Sequence, residues 1–358
     1  MEQRILLGPG PSMVPEEVYQ AMQRPVVGYL DPELFEVLTS IQKRLRLVFQ
    51  TQNEVALALP GTGMSGMEAA LGNLIEPGDS VIIAVHGFFG ARMVEIARRY
   101  GANCKVVQQT WGQPIDSEMV EAALKETPNP RLVAIVHAET SIGIAQPIQD
   151  IARLAHDYGA LVVVDCVTSL GGLPVHGDRV DVVYSAMQKC IGGPPGLAPI
   201  TVSPRAWERI QTRRSPNLSW YLDLRLLWDY WNEPHIYHHT ASPTLLYAMD
   251  AALRLIEEEG LENRYRRHLE TAQALWQGLG ELGFRFMIDE PNRLPMLTSI
   301  EAPVNEAELR QRLLRNCNIE IGGGLGEWKG KVWRIGLMGR SCTRENVDLL
   351  LGALTEMR

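Results

Sequence analysis

From Val55 onward the chain repeats one unit: a short apolar run, a turn and a segment with helical spacing. Val55-Ala56-Leu57-Ala58-Leu59 reads as a strand, Pro60-Gly61-Thr62-Gly63 as a turn, and Met64 to Leu74 as a helix. Ser80 to Val85 and Ala91 to Tyr100 repeat the pair, and Leu132 to Val136, Ile148 to His156 and Leu161 to Asp165 extend it. Strands that are apolar throughout need cover on both faces, and a helix between two strands joins parallel neighbours. The expected fold class is therefore α/β, a mostly parallel sheet flanked by helices. Ligands in such sheets bind at the carboxyl ends of the strands, where Thr62, Phe89, Thr140, Asp165 and Lys189 fall.

The flanking segments complete the plan. Leu7-Gly8-Pro9-Gly10-Pro11-Ser12 cannot be helical, and Pro15 suits the first turn of a helix through Tyr19 and Met22. Leu34, Val37, Leu38, Ile41, Leu45 and Val48 predict a helix over Pro32 to Phe49. Ala248 to Gly260 reads as a helix linking two domains. Beyond it, helices over 263–280, 306–315 and 343–356 alternate with strands at 285–287, 296–300, 319–321 and 332–336, the pattern of a smaller α+β domain with an antiparallel sheet. A chain of 358 residues is long for one domain. The expected division is an N-terminal arm, 1–20, a large domain, 21–255, and a small C-terminal domain, 256–358.

Composition narrows the function. A formal net charge of −8 argues against a nucleic-acid surface, and no apolar run is long enough to span a bilayer. The opening Met1-Glu2-Gln3-Arg4 lacks a signal-peptide pattern, so a cytoplasmic protein is expected. Cys104, Cys166, Cys190, Cys317 and Cys342 are odd in number and widely spaced, which argues against disulfides and structural zinc. No histidine spacing suggests a metal.

One constellation carries chemistry. Asp165 ends one apolar strand, and Lys189 follows the next, Val180 to Tyr184, just before Gly192-Gly193-Pro194-Pro195-Gly196. A lysine so placed can hold pyridoxal phosphate (PLP) as a Schiff base, and a carboxylate can keep the cofactor's ring nitrogen protonated. Thr62-Gly63-Met64, at a helix start, suits a phosphate. Phe89 can lie flat on a ring, and Thr140 can donate to a phenolate oxygen. Lys189, once free, can move a proton, which requires a lowered pKa. Arg334, inside the apolar Val332-Trp333-Arg334-Ile335-Gly336, needs an anionic partner and fits a carboxylate.

Together these residues resemble the class V aminotransferases of PLP fold type I, most closely the alanine–glyoxylate and serine–pyruvate group. The resemblance runs from Leu7-Gly8-Pro9-Gly10-Pro11 to Thr343-Arg344-Glu345-Asn346-Val347, through Glu76-Pro77-Gly78-Asp79, Ser169-Leu170-Gly171-Gly172 and Tyr237-His238-His239-Thr240. It implies that Lys189 forms the Schiff base, Asp165 partners the ring nitrogen, Val167 packs on the opposite ring face, and Thr62, Gly63, Met64 and Gln188 surround the phosphate. It also implies a homodimer with shared sites, in which Tyr237 and Thr240 reach the neighbouring cofactor's phosphate, while Arg334 and Gly28 bind substrate. Relatives often have tryptophan in place of Phe89 and Ser-Gly-His in place of Thr62-Gly63-Met64.

The expected activity is transfer of an amino group from L-alanine or L-serine to glyoxylate or pyruvate. The alternatives are an aminophosphonate or ureidoglycine donor, or a PLP lyase of the cysteine desulfurase type, which would need a reactive cysteine such as Cys342.

Overall fold

The apolar runs fold as strands whose neighbours bury them on both faces. The structure, a computed structural model, describes residues 4–357; Met1, Glu2 and Gln3 of the expected cytoplasmic N-terminus lie outside the described residues. In chain order the strands are β1 (Ile5–Leu6), β2 (Val55–Pro60), β3 (Ser80–Val85), β4 (Asn103–Gln108), β5 (Leu132–Val136), β6 (Ala138–Glu139) and β7 (Ile144–Ala145). Next come β8 (Leu161–Asp165), β9 (Val182–Tyr184), β10 (Leu197–Val202), β11 (Leu297–Glu301), β12 (Ile319–Glu320), β13 (Gly322–Gly323) and β14 (Val332–Gly336). The helices are α1 (Glu16–Met22), α2 (Pro32–Phe49), α3 (Gly63–Leu74), α4 (Phe88–Arg99), α5 (Ser117–Glu126) and α6 (Gln149–Asp157). They continue with α7 (Pro204–Gln211), α8 (Leu224–Trp231), α9 (Pro243–Glu259), α10 (Leu261–Glu281), α11 (Glu306–Asn316) and α12 (Arg344–Glu356).

The main sheet has seven strands in the order β2-β10-β9-β8-β5-β3-β4. All its pairings are parallel except those of β10, which runs antiparallel to both neighbours. Every residue of β5 and β8 is buried, which requires helices on both faces. Helix α2 shows why the local sequence succeeds: Asp31 caps it by accepting from the Glu33 amide at 2.9 Å, Pro32 opens it, and the six expected apolar residues are all buried.

A second core gathers Leu275, Leu279, Ile300, Leu313, Trp333, Ile335, Leu350 and Leu354 around the antiparallel sheet β11-β14-β13. Leu7 joins this core, because β1 pairs in parallel with β12. The first described residues are therefore packed among the last hundred. Two expectations change here. Of residues 319–321, Ile319 and Glu320 pair with β1 rather than extending the antiparallel sheet. Residues 285–287 run beside β11, with Met287 N–H donating to Ser299 O and Glu301 N–H to Arg285 O, but close a single bridge, Phe286 to Ile300. The linking helix α9 also begins earlier, at Pro243, where Ser242 caps it. Pro15 is the cap residue of α1 rather than part of its first turn.

Candidate active site

The carboxyl ends of β2, β5 and β8 open on one cavity of about 160 Å³. Thr62, Gly63, Met64, Phe89, Thr140, Asp165, Val167, Gln188 and Lys189 all line it, joined by Met67, Val136, Ala138 and Thr168. Nine of the residues singled out in the sequence thus share one hollow, although more than a hundred positions separate the first from the last.

Lys189 reaches the hollow from an irregular turn. Residues Met187–Ile191 form a π-type turn in which Lys189 has φ −106° and ψ −128°. Its backbone carbonyl accepts from Ser12 Oγ at 2.8 Å, and Ser12 N–H donates to Gln188 O at 2.9 Å. The ammonium donates to the Pro9 carbonyl. Burial, and then the charge of Arg334, push its pKa down to about 8.

Asp165 stands at the floor. Its Oδ1 accepts from Val167 N–H at 2.8 Å and its Oδ2 from Tyr184 O–H at 2.9 Å. Burial outweighs both hydrogen bonds and pushes the carboxyl up to about 7. Tyr184 was missed in the sequence; the parallel register that places it beside Asp165 is the signal that could have found it.

The walls are equally determined. Glu139 is fully buried, and its Oε2 accepts from the amides of Phe89 at 3.1 Å and Gly90 at 3.3 Å, the first turn of α4. A carboxylate at a helix start compensates the free amides there, and it fixes where Phe89 stands. Glu139 lies so close to Gly87 that a Cβ there would sit 2.4 Å from its Cγ. Across the hollow Val167 packs on Gly63, where a Cβ would come within 2.7 Å of Val167 Cγ2. Thr62 precedes α3 and makes no side-chain cap bond, so its hydroxyl and the first amides of the helix are available to an anion. Gln188 Oε1 is buried without a partner.

Arg334 lies outside this lining. It is buried, with Nε donating to Gly323 O at 2.7 Å and Nη1 to Thr140 O at 3.0 Å, and it has no ion pair among the described residues. Burial lowers its pKa to about 10. The carbonyls fix the position of the guanidinium without neutralising its charge. Three further expected residues are not at the hollow within one chain. Gly28 and Thr240 are exposed, Tyr237 is 54% exposed and packs on Tyr29 with ring centroids 4.8 Å apart, and Thr240 borders a separate cavity near Tyr230 and His239.

The family pattern "Aminotransferase class-V" matches residues 4–350. The chain belongs to the class V aminotransferases. It is 39% identical to the alanine–glyoxylate aminotransferase of Drosophila melanogaster, covering 99% of this chain and 92% of that one. It is 38% identical to the (S)-ureidoglycine–glyoxylate transaminase of Bacillus subtilis, over 98% and 89%. Among solved structures, the alanine–glyoxylate aminotransferase of Nostoc sp. superposes with a TM-score of 0.98 at 45% identity, covering 100% and 96%. The pyridoxamine–pyruvate aminotransferase of Mesorhizobium loti does so with 0.94 at 29%, covering 99% and 92%. The fold is PLP fold type I, and the enzyme is a PLP-dependent aminotransferase. The hollow fits that cofactor: a buried amine, a buried carboxyl with no ion pair among the described residues, an aromatic wall and an unfilled helix start are what PLP complements.

Proposed function

We propose that this enzyme moves the amino group of a small amino acid, L-alanine or L-serine, to glyoxylate or pyruvate. The observation that carries the reading is the convergence of the Lys189 amine and the Asp165 carboxylate on one small buried hollow. PLP supplies the electron sink when bound. Lys189 attaches the cofactor and then, as a free amine, carries the proton at the substrate's α-carbon. Asp165, positioned by Tyr184 and Val167, holds the proton on the ring nitrogen. Phe89 and Val167 would hold the two ring faces, while Thr62, Gly63, Met64 and Gln188 would hold the phosphate and Thr140 would donate to the phenolate oxygen. Arg334 receives the substrate carboxylate, a role that its two carbonyl partners leave open, and Gly28, which is away from the hollow within one chain, joins it only in the dimer proposed below.

The relatives that are alanine–glyoxylate aminotransferases support the small donor. Their ureidoglycine-dependent counterpart supports a second reading, a ureidoglycine donor. A desulfurase-type lyase finds no nucleophile in Cys342, which is fully buried with its thiol pushed up by burial.

We also propose a cytoplasmic homodimer, built from the arm 1–20, a large domain, 21–255, and a small domain, 256–358. Val26, Leu218, Trp220, Ile236 and Tyr237 are each more than half exposed, an apolar set that a second copy would cover. In that assembly Tyr237 and Thr240 approach the partner's phosphate. No described helix is long and apolar enough to cross a membrane.

The test is the visible spectrum of the purified enzyme. Loss of the long-wavelength cofactor band with L-alanine and its return with glyoxylate are expected. A band that responds to L-serine or ureidoglycine but not to alanine transfers the assignment to that donor, and a protein that takes up no PLP overturns it.

A further inference from the structure

Behind the lysine turn lies a partly buried charge cluster with no place in the chemistry above. Helices α9 and α10 meet at Gly260, whose φ of +78° breaks the helix and lets Glu259, at the end of α9, face Arg264 and Arg267 of α10. Arg264 is buried and uses all three guanidinium nitrogens. Nη1 donates to Glu259 Oε2 at 2.5 Å, Nε to Gly171 O at 2.8 Å and Nη2 to Cys190 O at 2.5 Å. Arg267 also pairs with Glu259, Nε to Oε1 at 2.6 Å and Nη2 to Oε2 at 3.0 Å. Its Nη1 donates to Gly339 O at 3.1 Å and Cys342 O at 2.8 Å. His268 completes the set: Nδ1–H donates to Arg264 O at 2.8 Å, so Nε2 is free to accept from Gly339 N–H at 3.2 Å.

Besides Gly171, these groups hold two backbone segments that bear on the site. One is Cys190, directly after Lys189. The other is the turn Gly339–Cys342, which follows β14 and so stands five residues beyond Arg334. A cavity of about 450 Å³ opens beside Gly192, Arg264, Arg267 and Gly339, so on that side the lysine turn has hydrogen bonds instead of close packing. A shared carboxylate between two planar guanidinium forks fixes geometry more tightly than packing across a void could.

We infer that Glu259, Arg264, Arg267 and His268 act as positioning residues: they lock the backbone of Lys189 and the end of the Arg334 strand to one point. The inference rests on Lys189 being the reacting amine, as proposed above. None of the four lines the hollow. Their effect is on where the amine stands relative to the bound carboxylate.

The test replaces Arg264 by Gln in the PLP-loaded enzyme and measures kcat and KM with alanine and glyoxylate. Hydrogen exchange is followed separately in cofactor-free protein. The expected result is a fall in kcat on the order of 10- to 100-fold, the cost of misplacing a reacting group by about 1 Å, with both KM values within about twofold. Exchange should accelerate at residues 190–193 and 339–342 and remain unchanged in β5 and β8. Arg264→Lys, which keeps the charge but not the fork, should recover only part of kcat. A kcat within twofold of the parent overturns the inference. So does faster exchange throughout the sheet, which marks a merely structural role. If Arg264→Gln does not fold, Arg267→Gln, which is less buried and leaves the Arg264–Glu259 pair intact, is read by the same criteria. Exchange in cofactor-free protein does not depend on the substrate, so a wrong substrate assignment leaves that result standing.

Discussion

Asp165→Asn should stabilise the cofactor-free protein while crippling the enzyme. In the structure Asp165 is buried against two hydrogen-bond donors and makes no ion pair among the described residues; burial outweighs the donors and the more distant charge of Lys189, and its pKa moves from the ordinary 3.8 to about 7. A carboxyl whose folded pKa is raised contributes nothing below 3.8. It then costs stability increasingly as the pH rises towards 7, and at a constant level above. A gap of about 3 pH units corresponds to roughly 4 kcal/mol at pH 8.5 and about half of that at pH 5.5. Asparagine removes the charge. Its carbonyl keeps the Val167 amide, and its NH₂ meets the Tyr184 hydroxyl, which can turn to accept, so about 1 kcal/mol is lost from that pair. The net gain is roughly 3 kcal/mol at pH 8.5 and about 1 kcal/mol at pH 5.5. Thermal melting of cofactor-free parent and variant at the two pH values measures it, and PLP affinity and turnover should both fall. A variant that melts below the parent at pH 8.5, or an advantage that does not shrink at pH 5.5, would refute the claim that Asp165 is held ready for a cation.

Lys189→Ala should abolish turnover while PLP still binds non-covalently. Dialysis should then remove the cofactor, and retained turnover would exclude Lys189 from the reaction. With the amine at about pH 8, the rate of covalent PLP capture should climb about tenfold per pH unit below 8 and level off above; stopped-flow absorbance would show a flat profile if the amine were neutral throughout. Arg334→Ala should raise KM for donor and acceptor by roughly 10- to 150-fold, the worth of charge-assisted hydrogen bonds of about 1.5–3 kcal/mol. Arg334→Lys should recover only part, and steady-state kinetics with unchanged KM values would make Arg334 structural.

Regular periodicity made much of the fold legible. Helix α2 and strands β8 and β14 have their expected bounds because their apolar spacing has one solution. Strand β4 escaped because it is an edge: Asn103, Lys105 and Gln108 interrupt its apolar residues. Strand β10 escaped because Pro199 sits in its middle, and proline in a doubly paired strand argues against strand. The site was legible where residue type and position agree, at Asp165, Lys189 and the α3 start. Glu139 and Tyr184 were not, because their roles depend on which strand lies next to which. The helix break at Gly260 was legible, but Arg264 was not singled out, because the carbonyls it holds, Gly171 and Cys190, are far from it in sequence.

The first described residues supply the last test. The arm crosses over Lys189, and Pro9 offers its carbonyl to the amine. Gly10, at φ +112°, would place a Cβ 2.5 Å from Lys189 Nζ and 2.8 Å from Cδ and Cε. Only the far end of the lysine can give way, so Gly10→Ala moves the amine before it moves the fold. Backbone strain at this φ adds about 1–3 kcal/mol, small enough to leave a folded protein. Covalent PLP capture should therefore slow by at least about tenfold while melting drops by only a few degrees. Unaltered capture would mean that the arm merely passes near Lys189. Slowed capture would mean that residues packed beside β12 and β14 hold the reacting amine of the other core, so that a displacement of the smaller sheet is felt first at Lys189.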